Sequence, residues 1–214
     1  MNVVFLGKST EEKKFLLLCL AKIMSCHKKA VLISKSPFSY ENVSGTYDYC
    51  GIEIIRCEND ENLLSKIIID AYNFLDVDEL INVPEGFIVV AVSEPTRRML
   101  EECTKLASEY TWFQPSLSVI LIFLNVMEYC KIGERYLDLF WERSLPSFTQ
   151  ITHTHTIYFE ESNRRVMIES QFINKLHLKL LSPALKSTLK AIIQDIFSLE
   201  KQEVKAIFKK AERV

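Results

Sequence analysis

Two lysines near the start of the chain, Lys8 and Lys13, are the residues whose type and spacing most clearly suggest chemistry. They lie in the stretch "VVFLGKSTEEKKFLLLCLA", where an apolar run, a short turn and a second apolar run follow one another. Phosphate is the ligand that such a turn could hold, because lysines and inward-facing backbone N–H groups both bind it. The literal "GKS" does not fit a standard phosphate-binding loop, G-x-x-x-x-G-K-[ST], since its first glycine would fall at Asn2.

Hydrophobic patterning indicates which elements would position these lysines. An apolar strand at 2–6 leads into the turn, and a helix at 11–27 follows it. Continuous apolar strands that alternate with helices indicate an α/β fold with a mostly parallel, helix-covered sheet. Further strands are predicted at 30–34, 46–49, 51–57, 66–70, 87–92, 118–124 and 152–159, and further helices at 61–66, 95–110, 133–142 and from 183 onward.

Ligands of such sheets bind beyond the carboxyl ends of the strands, so the residues that follow each strand are the candidates for a site. These residues lie at 7–14, 34–37, 70–72 and 93–95 and at Asn125.

Length and charge narrow the class of protein. The 214 residues suit one domain, predicted at 1–199, with an amphipathic helical tail at 200–214. The net charge of -2 gives no overall field that would attract nucleic acid. Six cysteines without a C-x-x-C pair are typical of buried free thiols in a reducing cytoplasm. No apolar run reaches the roughly 18 residues that a membrane span needs.

The tail has a distinct apolar face. Val204, Ile207, Phe208 and Ala211 fall on one side of a predicted helix, with lysines around them. Three interpretations remain open for this face: weak, reversible contact with a membrane, packing against a partner or a second copy, and packing as an ordinary last helix. The first would place a cytoplasmic protein at the membrane periphery.

In a second register, the opening stretch resembles the MinD/ParA family of ATPases, whose deviant Walker A loop reads K-G-G-x-G-K-[ST]. Lys8 then matches the early signature lysine, and Lys13 matches the P-loop lysine. Lys14 replaces the Ser/Thr that binds Mg²⁺ in the family. The resemblance therefore implies a P-loop NTPase fold of the MinD/ParA type in which both lysines remain and the metal hydroxyl is lost.

The glycines of that loop are also replaced, by Ser9, Thr10 and Glu12. Inward-facing N–H groups need glycine-like dihedrals, and a left-handed conformation costs a non-glycine residue about 1–2 kcal/mol. Glu11 and Glu12 add negative charge beside the phosphates, which like-charge repulsion opposes. We therefore expect phosphate binding to be weak or absent.

The resemblance continues along roughly residues 1–197. "KIIID" ends in Asp70, where the family has the acidic Walker B residue that orders water around Mg²⁺. "VILIFLNVMEY" contains Asn125, which matches the asparagine that contacts adenine in the family. Ser34 and Ser36 stand where the family has a D-x-D pair. These losses are closest to the degenerate branch with TadZ/CpaE-like proteins, which localise pilus or secretion machinery.

The resemblance implies a catalytically inactive or impaired protein that acts as a scaffold or positioning adaptor, for example for a pilus, secretion or conjugation machine. It would form a homodimer, bind protein partners and need no cofactor. The alternative is a nucleotide-binding or weakly active ATPase that switches dimerisation with ATP and Mg²⁺. In either case the nucleotide-binding positions, vestigial in the first, would be Lys8, Lys13, Lys14, Asp70 and Asn125. A DNA-partitioning role would need a basic surface that the sequence scarcely supplies.

Two other groups of polar residues have simple structural interpretations. His153 and His155 in "THTHT" would share one face of a strand and could share a metal, but alternating polar residues on an exposed strand explain them better. Asp76, Asp78 and Glu79 in "LDVDEL" are predicted to lie in a solvated loop or a capped short helix.

Overall fold

The computed structural model describes residues 1–38, 45–58, 61–113 and 118–213. Across these residues one eight-stranded sheet runs in the order β3-β4-β2-β5-β1-β6-β7-β8. The strands are β1 (Asn2–Leu6), β2 (Ala30–Ser34), β3 (Gly45–Tyr49), β4 (Ile52–Arg56), β5 (Tyr72–Val77), β6 (Ile88–Ser93), β7 (Ser118–Val126) and β8 (Gln150–Tyr158). The helices are α1 (Glu11–Ser25), α2 (Arg97–Phe113), α3 (Glu134–Ser144), α4 (Glu161–Ile173), α5 (Pro183–Phe197) and α6 (Lys201–Ala211).

The sheet is parallel except at one edge, where β3 pairs antiparallel with β4. Strand β1 lies at the centre between β5 and β6. One apolar cluster fills the space between the sheet and helices α1, α5 and α6, and a second lies between the sheet and helices α2 and α3. The predicted α/β class, with a mostly parallel sheet covered by helices, is confirmed.

Strand β1 and helix α1 form the junction that carries Lys8 and Lys13. Val3 to Leu6 are fully buried, as continuous apolar runs in a central parallel strand require. Thr10 caps α1, and its side-chain oxygen accepts a hydrogen bond from the Lys13 backbone N–H at 3.3 Å. The cap and the two acidic residues in the first turn both favour a helix start at this position.

The strand predicted at 66–70 is wrong. Residues Leu63–Lys66 form a single 3₁₀ turn, and the strand, β5, begins at Tyr72. The apolar letters of "KIIID" suggested a strand, whereas β5 carries the polar residues Asn73 and Asp76 in its interior. Asn73 can be buried because its side-chain amide forms hydrogen bonds with Asn2 and with the backbone N–H and carbonyl of Ile68.

Helix α4 has no counterpart among the helices predicted from the sequence. It has a weak apolar stripe, and the face that packs inward includes Asn163, Val166, Met167 and Ser170. Two polar residues on that face obscure the helical pattern in the sequence.

Helix α6 belongs to the core of the domain. The apolar face predicted for the segment 200–214, of which Val214 lies outside the described residues, is buried among helices α1 and α5. Phe208 is 1% exposed, and the Lys190 ammonium lies 4.7 Å from the centre of its ring. Membrane contact through this face would require α6 to leave the domain. No helix of the described residues is long and apolar enough to cross a membrane.

Substitution of Phe208 tests this packing. Phe208→Ala should lower the free energy of unfolding by about 3–5 kcal/mol, because a buried aromatic ring is lost and a cavity remains. Lys209→Ala, on the exposed side of the same helix, should change it by less than about 0.5 kcal/mol. Urea denaturation measures both, and equal stability of the two variants would show that α6 does not pack as described.

Candidate functional site

The centre of the candidate site is an ion pair between Lys13 of α1 and Asp76 of β5. The Lys13 Nζ lies 2.7 Å from Asp76 Oδ1, and both side chains are 1% exposed. The same ammonium donates hydrogen bonds to the carbonyl oxygens of Gly7 (2.6 Å) and Val77 (3.3 Å). The ion pair and these two hydrogen bonds surround the Lys13 ammonium with three protein oxygens.

Two serines complete the environment of Asp76. The hydroxyl groups of Ser9 and Ser34 both donate hydrogen bonds to Asp76 Oδ2, the latter at 2.9 Å. Ser34 in turn accepts a hydrogen bond from the Ser36 backbone N–H at 2.9 Å. Of the two serines at the D-x-D positions, Ser34 therefore helps to hold a buried carboxylate, because its hydroxyl can donate to Asp76 whereas a carboxylate would repel it. Ser36 joins this network only through its backbone N–H.

Gly7 is required by packing in this structure. Its φ of +118° favours glycine, and a Cβ at this position would lie 2.2 Å from the Val92 carbonyl oxygen. The Cys103 thiol lies against the same carbonyl, and burial raises the pKa of Cys103 to about 12, so this thiol is inert. The glycine thus allows β1 to approach the end of β6, and this explains its presence without a phosphate.

The residues present do not fit the triphosphate and Mg²⁺ that a P-loop holds. The cavity beside the loop, bordered by Lys8, Thr10 and Lys13, has a volume of about 10 Å³, room for one water at most. The Lys13 ammonium is already held by Asp76 and two backbone carbonyls, and Lys14 has no hydroxyl for a metal. Lys14 instead forms an ion pair with Glu11 at 2.8 Å. Lys8 is exposed to solvent.

Asp70 does not occupy the Walker B position predicted for it. It precedes β5, at the edge of the sheet opposite the Lys13 site, where its φ is +63° and its side chain is 88% exposed. Asp76, one residue before the end of β5, is the acidic residue beside Lys13. The prediction of a solvated loop for Asp76 is therefore wrong; the aromatic and branched residues of "YNFLDV" were the signal that could have located the strand.

Asn125 lies where the prediction placed it, at the carboxyl end of β7. Its φ is +54°, and it borders a cleft between α1, α4 and the ends of β7 and β8. Two contacts tie α4 to the start of α1 beside this cleft. Arg164 forms an ion pair with Glu12, and the Gln171 amide donates to Glu11 at 2.7 Å.

His153 and His155 share one carboxylate. His153 Nδ1 lies 3.4 Å and His155 Nε2 3.0 Å from Asp195 Oδ2, on α5. His155 is 9% exposed, so the exposed strand predicted for it is wrong at this position. Burial lowers the pKa of His155; the Asp195 carboxylate opposes this effect and His153 adds to it. Among the described residues, no group of three His, Cys, Asp or Glu side chains is placed to hold a metal ion.

Because the ion pair is buried, replacement of Lys13 should destabilise the folded state. Lys13→Met should lower the free energy of unfolding by about 3–5 kcal/mol, because it leaves the Asp76 carboxylate buried without its counter-charge. The double variant Lys13→Met/Asp76→Asn should recover most of the loss, since no charge then remains buried. Chemical denaturation of the two variants measures the difference.

Lys14→Met is the matched control, because Lys14 is the adjacent residue and its ion pair with Glu11 lies near the surface. It should cost less than about 1 kcal/mol. If Lys13→Met is as mild as Lys14→Met, the Lys13 ammonium is not held in the interior.

The lowered pKa of His155 predicts how the stability of the folded state depends on pH. Because the folded state lowers this pKa below its ordinary 6.5, the unfolded state binds the proton more readily, and stability falls as the pH drops from about 7 to about 5. His155→Gln should reduce this slope, and His177→Gln, at an exposed position, should leave it unchanged. Urea denaturation midpoints across this pH range measure the slope of stability against pH. An unchanged slope in His155→Gln would contradict the prediction.

Comparison with known proteins supports the fold. No protein-family model matches the chain, and no curated protein does. Among solved structures, the chain is similar to the MinC:MinD cell division protein complex of Aquifex aeolicus, with a TM-score of 0.62 at 8% identity, over 94% of this chain and 97% of that one. A ParA family ATPase from Chlorobium tepidum gives 0.61 at 13% identity, over 87% and 95% of the two chains.

A third structure is the septum site-determining protein MinD of Pyrococcus horikoshii, complexed with Mg-ADP. Its TM-score is 0.57 at 10% identity, and 90% of this chain and 96% of that one are covered. At such low identities the similarity is one of fold. This chain therefore has the α/β fold of the MinD/ParA-type P-loop NTPases.

Proposed function

We propose that the chain is a nucleotide-independent protein of the MinD/ParA fold that acts as a scaffold or positioning adaptor. The observation that carries this proposal is the buried ion pair between Lys13 and Asp76. In a working P-loop the lysine reaches the phosphates of the nucleotide. In this chain the protein supplies the negative charge that a nucleotide would otherwise bring.

Electrostatics favour this assignment. For Lys13 to reach a phosphate, its ammonium would have to leave Asp76 and two backbone carbonyls. A buried carboxylate without its partner costs about 3–5 kcal/mol, and this cost would be subtracted from the affinity for any nucleotide.

An adaptor needs a surface for partners, and the carboxyl edge of the sheet offers one. Among the residues that the structure describes, four large apolar side chains are exposed beyond the strand ends: Leu80 after β5, Met127 and Tyr129 after β7, and Phe159 after β8. Tyr129 is 99% exposed. Aromatic residues and methionine are enriched in protein interfaces. We propose that this edge forms the homodimer interface or receives a protein partner.

One structural neighbour is itself described as a complex of two proteins, MinC and MinD. This supports a role in protein assembly by analogy of fold. The proposal includes no membrane contact through α6, because the apolar face of that helix is buried.

The test is a titration with ATP and Mg²⁺. Calorimetry should show no binding at millimolar nucleotide, and the thermal midpoint should not move. A true site would be visible, since a ligand at 100 times its Kd stabilises the folded state by about 2.7 kcal/mol. Micromolar binding that Lys13→Ala abolishes would overturn the proposal and favour the alternative, an ATPase that switches dimerisation.

The same samples test the assembly. Light scattering should report a mass that is independent of ATP. A dimer built on the carboxyl edge should dissociate in Tyr129→Ser, whereas Phe172→Ser, at a residue 81% exposed on α4, should leave it intact. Dissociation by both variants or by neither would reject the carboxyl edge as the dimer interface.

A further inference from the structure

Strand β8 forms one side of the sheet, because it pairs with β7 and with no other strand. In the part of the chain that the structure describes, no backbone or side-chain group forms a hydrogen bond with its outer edge. Its middle, from Thr152 to Thr154, is exposed to solvent. The unpaired N–H and C=O groups of such an edge are a template for pairing with another strand.

Natural edge strands carry features that prevent such pairing, and β8 lacks most of them. Typical features are a short strand, a lysine, a proline or a bulge. Strand β8 has nine residues, "QITHTHTIY", without Lys, Arg, Asp, Glu, Pro or Gly. Its pairing with β7 is irregular in two places, and these flank the run 153–156, which pairs regularly with 120–123. This run therefore presents a regular edge without a permanent charge.

The sequence of this edge is symmetrical. "THTHT", residues 152–156, reads the same in both directions, so two copies can lie antiparallel with the same residue types facing each other. Residues directly opposite each other in an antiparallel pair lie on the same face of the sheet. A two-fold axis at Thr154 meets this condition, since it places Thr154 opposite its own copy and His153 opposite the partner's His155. Threonine pairs across strands are favourable.

Helix α5, which lies against the histidine face of β8, has small side chains on the side that flanks the strand. Asp195 marks this side, because its carboxylate lies 3.4 Å from His153 and 3.0 Å from His155. Ala191 and Thr188 lie on the same side of α5, four and seven residues earlier. Their small size lets the α5 helices of two copies approach each other, and the charge of Asp195 is already engaged by the histidines.

We propose that β8 pairs antiparallel with β8 of a second copy of this chain, about a two-fold axis at Thr154. The two sheets then form one continuous sheet. Because each copy offers a single β8 edge, the assembly closes as a dimer. This interface uses the side of the sheet and not its carboxyl edge, so the proposal goes beyond the adaptor role and does not depend on it. The carboxyl edge stays free to receive a protein partner.

Charge at residue 154 tests this axis, because the axis makes that side chain meet its own copy. Analytical ultracentrifugation of the full chain should show a dimer in the absence of ATP. Thr154→Lys and Thr154→Glu should each raise the dimer dissociation constant about a hundredfold, since like charges then face each other. An equimolar mixture of the two variants should recover dimers, because opposite charges then face each other. Thr154 is exposed, so neither variant should disturb the fold.

Thr46→Lys is the matched control, because Thr46 is an exposed threonine of β3, at the other side of the sheet. It should leave the dimer intact, and so should Tyr129→Ser at the carboxyl edge.

A monomeric wild-type chain would overturn the inference, as would a dimer that persists in Thr154→Lys or a mixture that stays monomeric. Dissociation in Tyr129→Ser but not in Thr154→Lys would overturn the inference and leave the adaptor role standing. Micromolar ATP binding by a dimer that Thr154→Lys dissociates would overturn the adaptor role and leave the inference standing.

Discussion

The rest of the structure depends on one buried contact, in which the Lys13 ammonium and the Asp76 carboxylate neutralise each other away from water. The pair joins the first turn of α1 to the end of β5, and the carbonyl of Gly7 joins β1 to the same point. Either charge alone would be expensive in the interior. Helix α1 and strands β1 and β5 therefore stabilise one another at this contact.

This contact also explains the local sequence. Gly7 allows the end of β1 to approach β6, and the hydroxyls of Ser9 and Ser34 satisfy the second oxygen of Asp76. Residues that look like remnants of a phosphate loop thus have structural roles in the present fold. A loop that retains two lysines is insufficient to show a nucleotide site, because a lysine can be directed inward as well as outward.

The sequence predicts most of the fold because apolar runs and helix caps act locally. Strand β2 and the hairpin of β3 and β4 follow their patterns closely. The site is predicted less well, since its main acidic residue depends on long-range pairing. Asp76 and Asn73 make β5 look like a polar segment, and only the fold shows that Lys13 and Asn2 satisfy them. The burial of His155 likewise depends on α5, about 40 residues further along the chain.

The inward direction of Lys13 has a consequence for how the sequence can change over time. Glycines at positions 9, 10 and 12 would not by themselves create a phosphate loop, because Lys13 would still be bonded to Asp76. Asp76 would also lose the hydrogen bond from the Ser9 hydroxyl. Changing Asp76 first would leave the ammonium buried without a counter-charge, which is also unfavourable. Each of these single substitutions therefore leads to a less stable protein. The ion pair thus opposes conversion of this turn into a phosphate-binding loop by one substitution at a time.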